Sequence, residues 1–227
     1  MRKTILIAGA SGLVGSACLP LLLADERVGR VIAIGRRPLP VGHPGLAQWT
    51  APDLLEALRP EAVDAVICCL GTTIGKAGSR EAFIAVDKDL PLGLARWAKE
   101  QQVPTFCLIS ALGADPRSRV FYSRVKGEVE QGIEAMGFPS LAIFRPSVLV
   151  GPRREKRIGE RIGAMALQFL RPLLVGPLED LRPMPHAVLA RAMVHAALQP
   201  RPGTHRHRWR AMRMLADAGG TARGISA

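Results

Sequence analysis

Short apolar runs alternate with longer amphipathic segments along the first 150 residues. The runs ILIAGA, VIAIG, AVICCLG and FCLISA are almost continuously apolar, which is typical of parallel strands covered on both faces. Between these runs the apolar residues recur at helical spacing, and glycine and proline mark the turns. The pattern predicts strands over 4–10, 30–36, 65–71, 105–111 and 141–149, and helices over 12–24, 80–101, 120–136 and 187–198.

This alternation predicts an α/β fold, a doubly wound parallel sheet of the Rossmann type. A chain of 227 residues suffices for one substantial core, so we expect a single domain over residues 1–200. Within it, residues 151–186, which include a helix-like stretch over 158–170, are expected to form a small cap on the substrate side. Residues 201–227 are expected to form a basic, partly disordered tail, in which Trp209, Met212 and Leu215 could line a short helix.

The formal net charge of +12 favours an anionic partner: a phosphorylated cofactor, an acidic lipid surface or a nucleic acid. Basic segments at 153–157 and 205–213 lack interleaved aromatic residues, and aromatic residues make up only 4% of the chain, which disfavours nucleic-acid binding. The four cysteines show no Cys-x-x-Cys spacing, which indicates a reducing cytoplasm with neither disulfides nor a structural metal. No apolar stretch is long enough to predict a membrane span.

A glycine-rich turn directly follows the first predicted strand. Gly9, Gly12 and Gly15 lie in GASGLVG, where the strand gives way to the first helix. In a dinucleotide-binding turn, the first glycine permits the tight bend, the second lets the backbone approach a pyrophosphate, and the third allows close helix packing. Ser11 adds a hydroxyl donor. The alternative is a βα turn without a ligand, but the position in a βαβ unit favours dinucleotide binding.

The second predicted strand ends on Gly35-Arg36-Arg37. NAD-binding proteins usually carry an acid here, because its carboxylate holds the ribose 2′-hydroxyl. A carboxylate would repel a 2′-phosphate, whereas a guanidinium pairs with it. The sequence therefore predicts NADP(H) as the cofactor; the alternative is that an arginine here only solvates a loop.

The single tyrosine of the chain, Tyr122, precedes Lys126 by four residues in FYSRVKGEVE, so both side chains share one helix face. An ammonium beside a phenol lowers the tyrosine pKa from its usual value near 10 and makes it a usable acid or base. Ser110 ends the fourth predicted strand, at the sheet edge that faces a ligand crevice, where its hydroxyl could hold the same carbonyl oxygen. The alternatives are an exposed Tyr-Lys pair and a serine that caps a turn.

Five stretches together resemble the atypical branch of the short-chain dehydrogenases/reductases, and within it the Tat-interacting-protein-type oxidoreductases. They are CCLGTTIGKAG, VDKDLPL, SALGAD, YSRVKGEVE and FRPSVLVGPR. Many relatives carry asparagine where this chain has Asp87. The resemblance covers about residues 4–200 and implies catalytic roles for Ser110, Tyr122 and Lys126. It also implies cofactor contacts from Gly9, Ser11, Gly12, Leu13, Val14, Gly15, Arg36, Arg37, Leu70, Gly71, Thr72, Tyr122, Lys126, Pro146 and Val148.

These features predict a cytoplasmic NADP(H)-dependent oxidoreductase that reduces a small carbonyl compound by hydride transfer. Tyr122 acts as the acid, Lys126 lowers its pKa, and Ser110 orients the carbonyl oxygen. The second hypothesis is a catalytically idle NADPH-binding regulatory or scaffold protein that acts through a partner. The resemblance also implies a homodimer that pairs the helices over 80–101 and 120–136.

Overall fold

The computed structural model describes residues 1–152 and 176–221. Seven strands of this described chain form one fully parallel sheet. They are β1 (Lys3–Ala8), β2 (Val28–Gly35), β3 (Leu46–Thr50), β4 (Ala65–Cys68), β5 (Thr105–Ile109), β6 (Ser140–Phe144) and β9 (Gly203–His207). Two short strands, β7 (Leu149–Val150) and β8 (Met184–Pro185), pair separately.

The order of the strands in the sheet is β3-β2-β1-β4-β5-β6-β9. The chain runs outward from β1 to β3 on one side and then from β4 to β9 on the other. The carboxyl ends of β1 and β4 therefore border the point where the winding reverses, which is where doubly wound sheets bind ligands. The predicted doubly wound parallel sheet is confirmed.

Helices cover both faces of this sheet. They are α1 (Gly15–Leu23), α2 (Ile74–Ala77), α3 (Arg80–Ile84), α4 (Leu90–Glu100), α5 (Phe121–Ala135), α6 (His186–Leu198) and α7 (Trp209–Thr221), with 3₁₀ turns at Leu55–Ala57 and Gly176–Leu181. Because strand side chains alternate, Ile5 and Ile7 face a core built with α1, α6 and α7, while Leu6 and Ala8 face one built with α4 and α5.

One predicted helix, over 80–101, is interrupted by a π-helical turn. α3 and α4 are joined by Ala85–Asp89, which carries the extra residue of this wider turn. The turn places Asp87 in the protein interior with 1% of its surface exposed. Such turns are frequent at functional sites because they reorient side chains without ending the helix.

The expectation of a tail is wrong for residues 203–221. β9 pairs in parallel with β6, and α7 packs on α6 through a buried stripe of Trp209, Met212 and Ala216. His207 lies against the Phe144 ring at 5.0 Å, and burial lowers its pKa to about 4. Residues 222–227 lie outside the described residues.

Within the seven-stranded sheet, β3 is the other strand that the sequence did not predict, because LAQWT is short and only partly apolar. Of the predicted cap, residues 153–175, including the predicted helix over 158–170, lie outside the described residues.

No helix in the described chain has the length and apolar character needed to span a membrane.

Candidate active site

The glycine-rich turn fits closely between β1, α1 and the segment after β4. Gly9 has a φ of +81°, and a Cβ there would lie 2.6 Å from the carbonyl oxygen of Cys69. A Cβ at Gly15 would lie 2.2 Å from the carbonyl oxygen of Gly9. The Gly12 amide closes the turn by donating to the Gly9 carbonyl at 2.9 Å. Only glycine satisfies the first and third positions of this packing.

The apex of the turn is open to solvent. Ser11 and Gly12 are exposed, Leu13 is half-buried, and the Val14 side chain is buried. Helix α1 begins without a side-chain cap and has no acidic residue in its first turn. An uncapped helix N-terminus offers backbone N–H groups and a partial positive charge to a phosphate. The turn therefore fits the pyrophosphate of a dinucleotide.

A cavity of about 420 Å³ opens between this turn and the end of β2. Arg36 and Arg37 line it, are exposed, and form no ion pair within the described part of the chain. Gln48 of β3 also lines it and holds the 39–41 segment, accepting from the Leu39 amide at 2.6 Å. The other lining residues are Ala10, Ser11, Ala33, Ile34, Gly35, Pro38, Leu39, Pro40 and Thr50. The predicted 2′-phosphate residues thus face the same cavity as the glycine turn.

The segment after β4 links the glycine turn to a buried ion pair. A Cβ at Gly71 would lie 3.4 Å from Asp87 Oδ1 and 3.7 Å from Lys126 Nζ. The Thr72 amide donates to Asp87 Oδ2 at 2.7 Å. Half-buried Leu70 packs against the α4 and α5 core. Gly71 and Thr72 therefore lie by the Asp87–Lys126 pair. None of these three predicted cofactor residues lines the cavity that Arg36 and Arg37 border.

Lys126 and Asp87 form an ion pair at 2.6 Å with little access to water, since Lys126 is only 5% exposed. In an interior of low dielectric constant, removing one partner of such a pair is strongly destabilising. Asp87 thus fixes Lys126 and, through Thr72, the segment after β4. Asp87 belongs to the π-helical turn, so this turn positions Lys126. The only sign of this role in the sequence is that Asp87 stands where many relatives carry asparagine.

Tyr122 begins the stripe that Lys126 continues along α5. Its ring lies 5.6 Å from the ring of Phe83. Burial raises the tyrosine pKa above its usual value, Lys126 lowers it, and Asp87 raises it again. The predicted influence of Lys126 has the expected sign, but burial outweighs it and the phenol stays protonated at neutral pH.

Substituting Asp87 by Asn is expected to lower the pKa of Tyr122. The substitution removes the negative charge that disfavours the phenolate and leaves Lys126 free to stabilise it. Because Tyr122 is the only tyrosine, its ultraviolet titration reports this pKa directly. Asp89→Asn, at an exposed position two residues away, serves as the control and should leave the titration in place. A titration of Asp87→Asn that moves to higher pH would contradict the assignment.

The Ser110 hydroxyl points into the protein. Ser110 is buried, and its Oγ donates a hydrogen bond to the Glu130 carboxylate. The backbone amide of Ser110 donates to the Phe144 carbonyl at 2.8 Å. In this arrangement the hydroxyl proton is engaged away from a substrate, so the predicted contact with a carbonyl oxygen requires this bond to break.

The segment after β6 carries the remaining predicted cofactor residues. The Pro146 carbonyl accepts from the Leu112 amide at 2.8 Å, and the Val148 carbonyl accepts from the Met184 amide at 2.9 Å. Val148 is 45% exposed. The segment thus bridges the loop after β5 and strand β8, and Val148 presents an apolar side chain to solvent.

The four cysteines are free thiols, and burial raises the pKa of Cys68 to about 11. A buried thiol with a raised pKa is a poor nucleophile, which supports a packing role. Among the described residues, no group of three or more His, Cys, Asp or Glu side chains is arranged to hold a metal ion.

Comparisons with known proteins assign this chain to a family. The model of the NAD dependent epimerase/dehydratase family matches residues 5–211. Protein HTATIP2 of Rattus norvegicus is 38% identical over 165 residues, which cover 70% of this chain and 68% of the relative. Protein FMP52, mitochondrial, of Coccidioides immitis is 34% identical over 233 residues, covering 94% of this chain and 93% of the relative.

Solved structures share the fold. The Bordetella bronchiseptica enzyme WbmH in complex with NAD+ superposes with a TM-score of 0.64 at 19% identity, covering 100% of this chain and 83% of that chain. The human epimerase family protein SDR39U1 with NADPH gives a TM-score of 0.59 at 20% identity, covering 90% and 74%. Because the family model spans residues 5–211 and these relatives are 34–38% identical, the chain belongs to the NAD-dependent epimerase/dehydratase family of Rossmann-fold oxidoreductases, with HTATIP2 and FMP52 among its relatives.

Proposed function

We propose that this protein is an NADP(H)-dependent reductase of a small carbonyl compound. The observation that carries the proposal is that half-buried Tyr122 and buried Lys126 share one face of α5, and that Lys126 lies at the segment after β4, which also packs against the glycine turn. A protonated phenol next to a cation is suited to give a proton to an oxygen that gains negative charge.

The chemistry divides between cofactor and protein. When bound, a reduced nicotinamide would supply the hydride, with its two electrons, that the carbonyl carbon needs. Tyr122 gives its phenolic proton to the carbonyl oxygen, so that an alcohol forms and a phenolate remains. Lys126 stabilises this phenolate until solvent returns a proton. Ser110 could orient the oxygen, as the resemblance implies, only after its hydroxyl leaves Glu130.

The raised pKa of Tyr122 supports reduction over alcohol oxidation. Reduction needs the protonated phenol, which persists up to the raised pKa, whereas oxidation needs the phenolate as a base. As the pH rises through this pKa, the acid form is lost and reduction should slow. We therefore infer that the site is suited to reduction at neutral pH.

The cavity lined by Arg36 and Arg37 supports NADPH over NADH as the reductant. A 2′-phosphate in the cavity beside the glycine turn would meet two exposed guanidinium groups that have no described carboxylate partner. Arginine pairs with phosphate through charge-assisted and often bidentate hydrogen bonds. Solved relatives bind either nucleotide, NAD+ in WbmH and NADPH in SDR39U1, so the preference depends on this chain's own residues.

Replacing Arg36 and Arg37 together by Ala is expected to weaken NADPH binding by about 10–100-fold, since tenfold corresponds to about 1.4 kcal/mol. NADH binding should change much less, because NADH has no 2′-phosphate. Calorimetric titration of both nucleotides measures this. Arg96→Ala, an exposed arginine on α4, is the control and should alter neither affinity. If the double variant keeps its preference for NADPH, the arginines do not read the phosphate.

Turnover tests the reductase proposal directly. Purified protein is mixed with NADPH and a panel of aldehydes, ketones and quinones, and nucleotide consumption is compared with that of Tyr122→Phe. Consumption above this background supports the proposal. Binding of NADPH without any consumption would overturn it in favour of the second candidate, a regulatory or scaffold protein that binds NADPH and acts through a partner. The observation that favours this candidate is the engagement of Lys126 by Asp87.

Partners and location are further proposals. Neither α4 nor α5 has a large apolar side chain that is exposed in the described structure, and Lys88 and Glu128 form an ion pair between the π-helical turn and α5 at 2.6 Å. A homodimer through these helices would therefore rest on polar contacts. Cytoplasmic location stays a prediction, since the relatives from Coccidioides immitis and Emericella nidulans are named as mitochondrial proteins. The absence of nucleic-acid binding also stays a prediction.

A further inference from the structure

The side chain of Gln48 holds the loop of residues 36–41, which follows β2. Its Oε1 accepts from the Leu39 amide at 2.6 Å, and its Nε2 donates to the carbonyl oxygens of Val41 at 3.0 Å and Leu39 at 3.5 Å. Within the described part of the chain, the backbone of this loop makes no other hydrogen bond to a side chain. One amide group therefore attaches the loop to the sheet.

The sequence of this loop leaves few places where it can be attached. Pro38 and Pro40 have no backbone N–H, so Leu39 is the only residue of that triplet with an amide to donate. A proline also restricts the residue before it to extended backbone, which applies to Arg37 and Leu39. The Leu39 side chain packs against the core that contains α1. Leu39 is thus the point at which packing and the bond to Gln48 act together.

Gln48 lies inside the cavity that the two arginines border. It stands opposite Ala33 in the pairing of β2 with β3, and Ala33 belongs to the core on the α1 face of the sheet. Neighbouring residues of paired strands project to the same face, so Gln48 projects toward α1 and lines the cavity with Arg36 and Arg37. The attachment of the loop therefore lies where a 2′-phosphate would bind.

Holding the loop in the folded protein affects the affinity for a phosphate. A loop that is ordered only when the ligand binds adds an entropy cost to binding, and a loop that is already held avoids this cost. Arg36 and Arg37 immediately precede the segment that Gln48 holds. A nucleotide without a 2′-phosphate makes less use of these arginines, so it should gain less from their placement.

We propose that Gln48 is a positioning residue for Arg36 and Arg37, and that it thereby sets the preference for NADPH over NADH. The inference rests on the proposed function, which takes NADPH as the reductant. Both polar ends of the Gln48 side chain are engaged by the loop, so Gln48 acts through the arginines that the loop carries.

The test measures the affinities of NADPH and NADH by calorimetry in Gln48→Ala and Gln48→Glu. Gln48→Ala releases the loop and should weaken NADPH binding by about 3–10-fold. Gln48→Glu should weaken it by about 10–100-fold, because its second oxygen repels the Val41 carbonyl and its charge competes with the phosphate for the guanidinium groups. NADH affinity should change by less than about threefold in both variants.

Gln101→Glu is the matched control. Gln101 is also half-buried and also accepts from a backbone amide, that of Glu61 at 3.3 Å. It follows α4 and precedes β5, at the edge of the sheet opposite the ligand crevice. The same change of charge at this place should leave both affinities unchanged.

A double-variant comparison separates positioning from a general structural role. When Arg36 and Arg37 are already replaced by Ala, adding Gln48→Ala should not change the ratio of the two affinities further, because the effect of Gln48 passes through the arginines. Equal losses of NADPH and NADH affinity in Gln48→Ala would overturn the inference, since they would indicate only a damaged fold. An unchanged preference in both Gln48 variants would overturn it as well.

Hydrogen exchange of the Leu39 amide tests the attachment without any nucleotide. It should be faster by about tenfold or more in Gln48→Ala and unchanged in Gln101→Glu, since the amide loses its acceptor only in the first. Unchanged exchange in Gln48→Ala would overturn the positioning role. If instead the wild type binds NADPH no better than NADH, the proposed cofactor itself fails, and the role of Gln48 in selecting it fails with it. A wild type that prefers NADPH, beside Gln48 variants that prefer it equally, contradicts this inference alone.

Discussion

Replacing Tyr122 by Phe is expected to lower NADPH-dependent carbonyl reduction by about 10²–10⁴-fold, the usual contribution of a general acid. The substitution removes the phenolic hydroxyl and keeps the ring that packs against Phe83. Stability should therefore change little, and NADPH affinity by less than about tenfold. Steady-state rates at saturating NADPH, together with calorimetry, measure both quantities.

Ser140→Ala provides the matched control, because it also removes a single hydroxyl, here from a buried residue at the start of β6, away from the carboxyl edge of the sheet. It should keep most of the wild-type rate. If Tyr122→Phe keeps its rate as well, the proton comes from another donor and the assignment of Tyr122 fails.

Replacing Gly15 by Ala is expected to lower the free energy of unfolding by about 3 kcal/mol or more and to abolish measurable NADPH binding. The new Cβ would lie 2.2 Å from the Gly9 carbonyl oxygen, which is backbone and cannot move aside without shifting the turn. Because the same turn offers its amides to the cofactor, the clash acts on stability and binding together. Denaturant unfolding and nucleotide calorimetry check the two effects.

Gly42→Ala distinguishes this clash from a general effect of losing glycine. No heavy atom lies within 4 Å of a Cβ built at Gly42, so this variant should unfold and bind NADPH like the wild type. At Gly12 the nearest contact is 3.2 Å, again to the Gly9 carbonyl oxygen, and we expect an intermediate loss for Gly12→Ala. Equal behaviour of the Gly15 and Gly42 variants would contradict the packing described for the turn.

The central strands and the glycine turn were predictable because their signals are local. β1, β4 and β5 are nearly continuous apolar runs, and glycines at fixed spacing follow the first of them. Tyr122 and Lys126 are four residues apart in an amphipathic helix, so their shared face also follows from the sequence. Strand ends were less accurate: the strand predicted over 4–10 stops at Ala8, because Gly9 takes a positive φ.

The contacts that complete the site are long-range. Asp87 meets Lys126 only because a π-helical turn redirects it, and the sequence around it reads as ordinary helix. Glu130 reaches Ser110 and Arg145 across the junction of helix and sheet. Gln48 enters the cavity from β3, which is too short and too polar to show as a strand. Such pairings depend on tertiary packing, which periodicity does not encode.

The last strand of the sheet has a consequence for how the protein folds during synthesis. β9 and α7 follow the other described elements along the chain, yet β9 covers the outer edge of β6 and brings Arg206 to Glu130 and Glu134. Until residues 203–221 emerge from the ribosome, the backbone N–H and C=O groups along that edge have no strand to pair with. An open strand edge is a template for association with other chains. A chain that stops before β9 therefore exposes an unpaired edge of β6, at which it can associate with other chains.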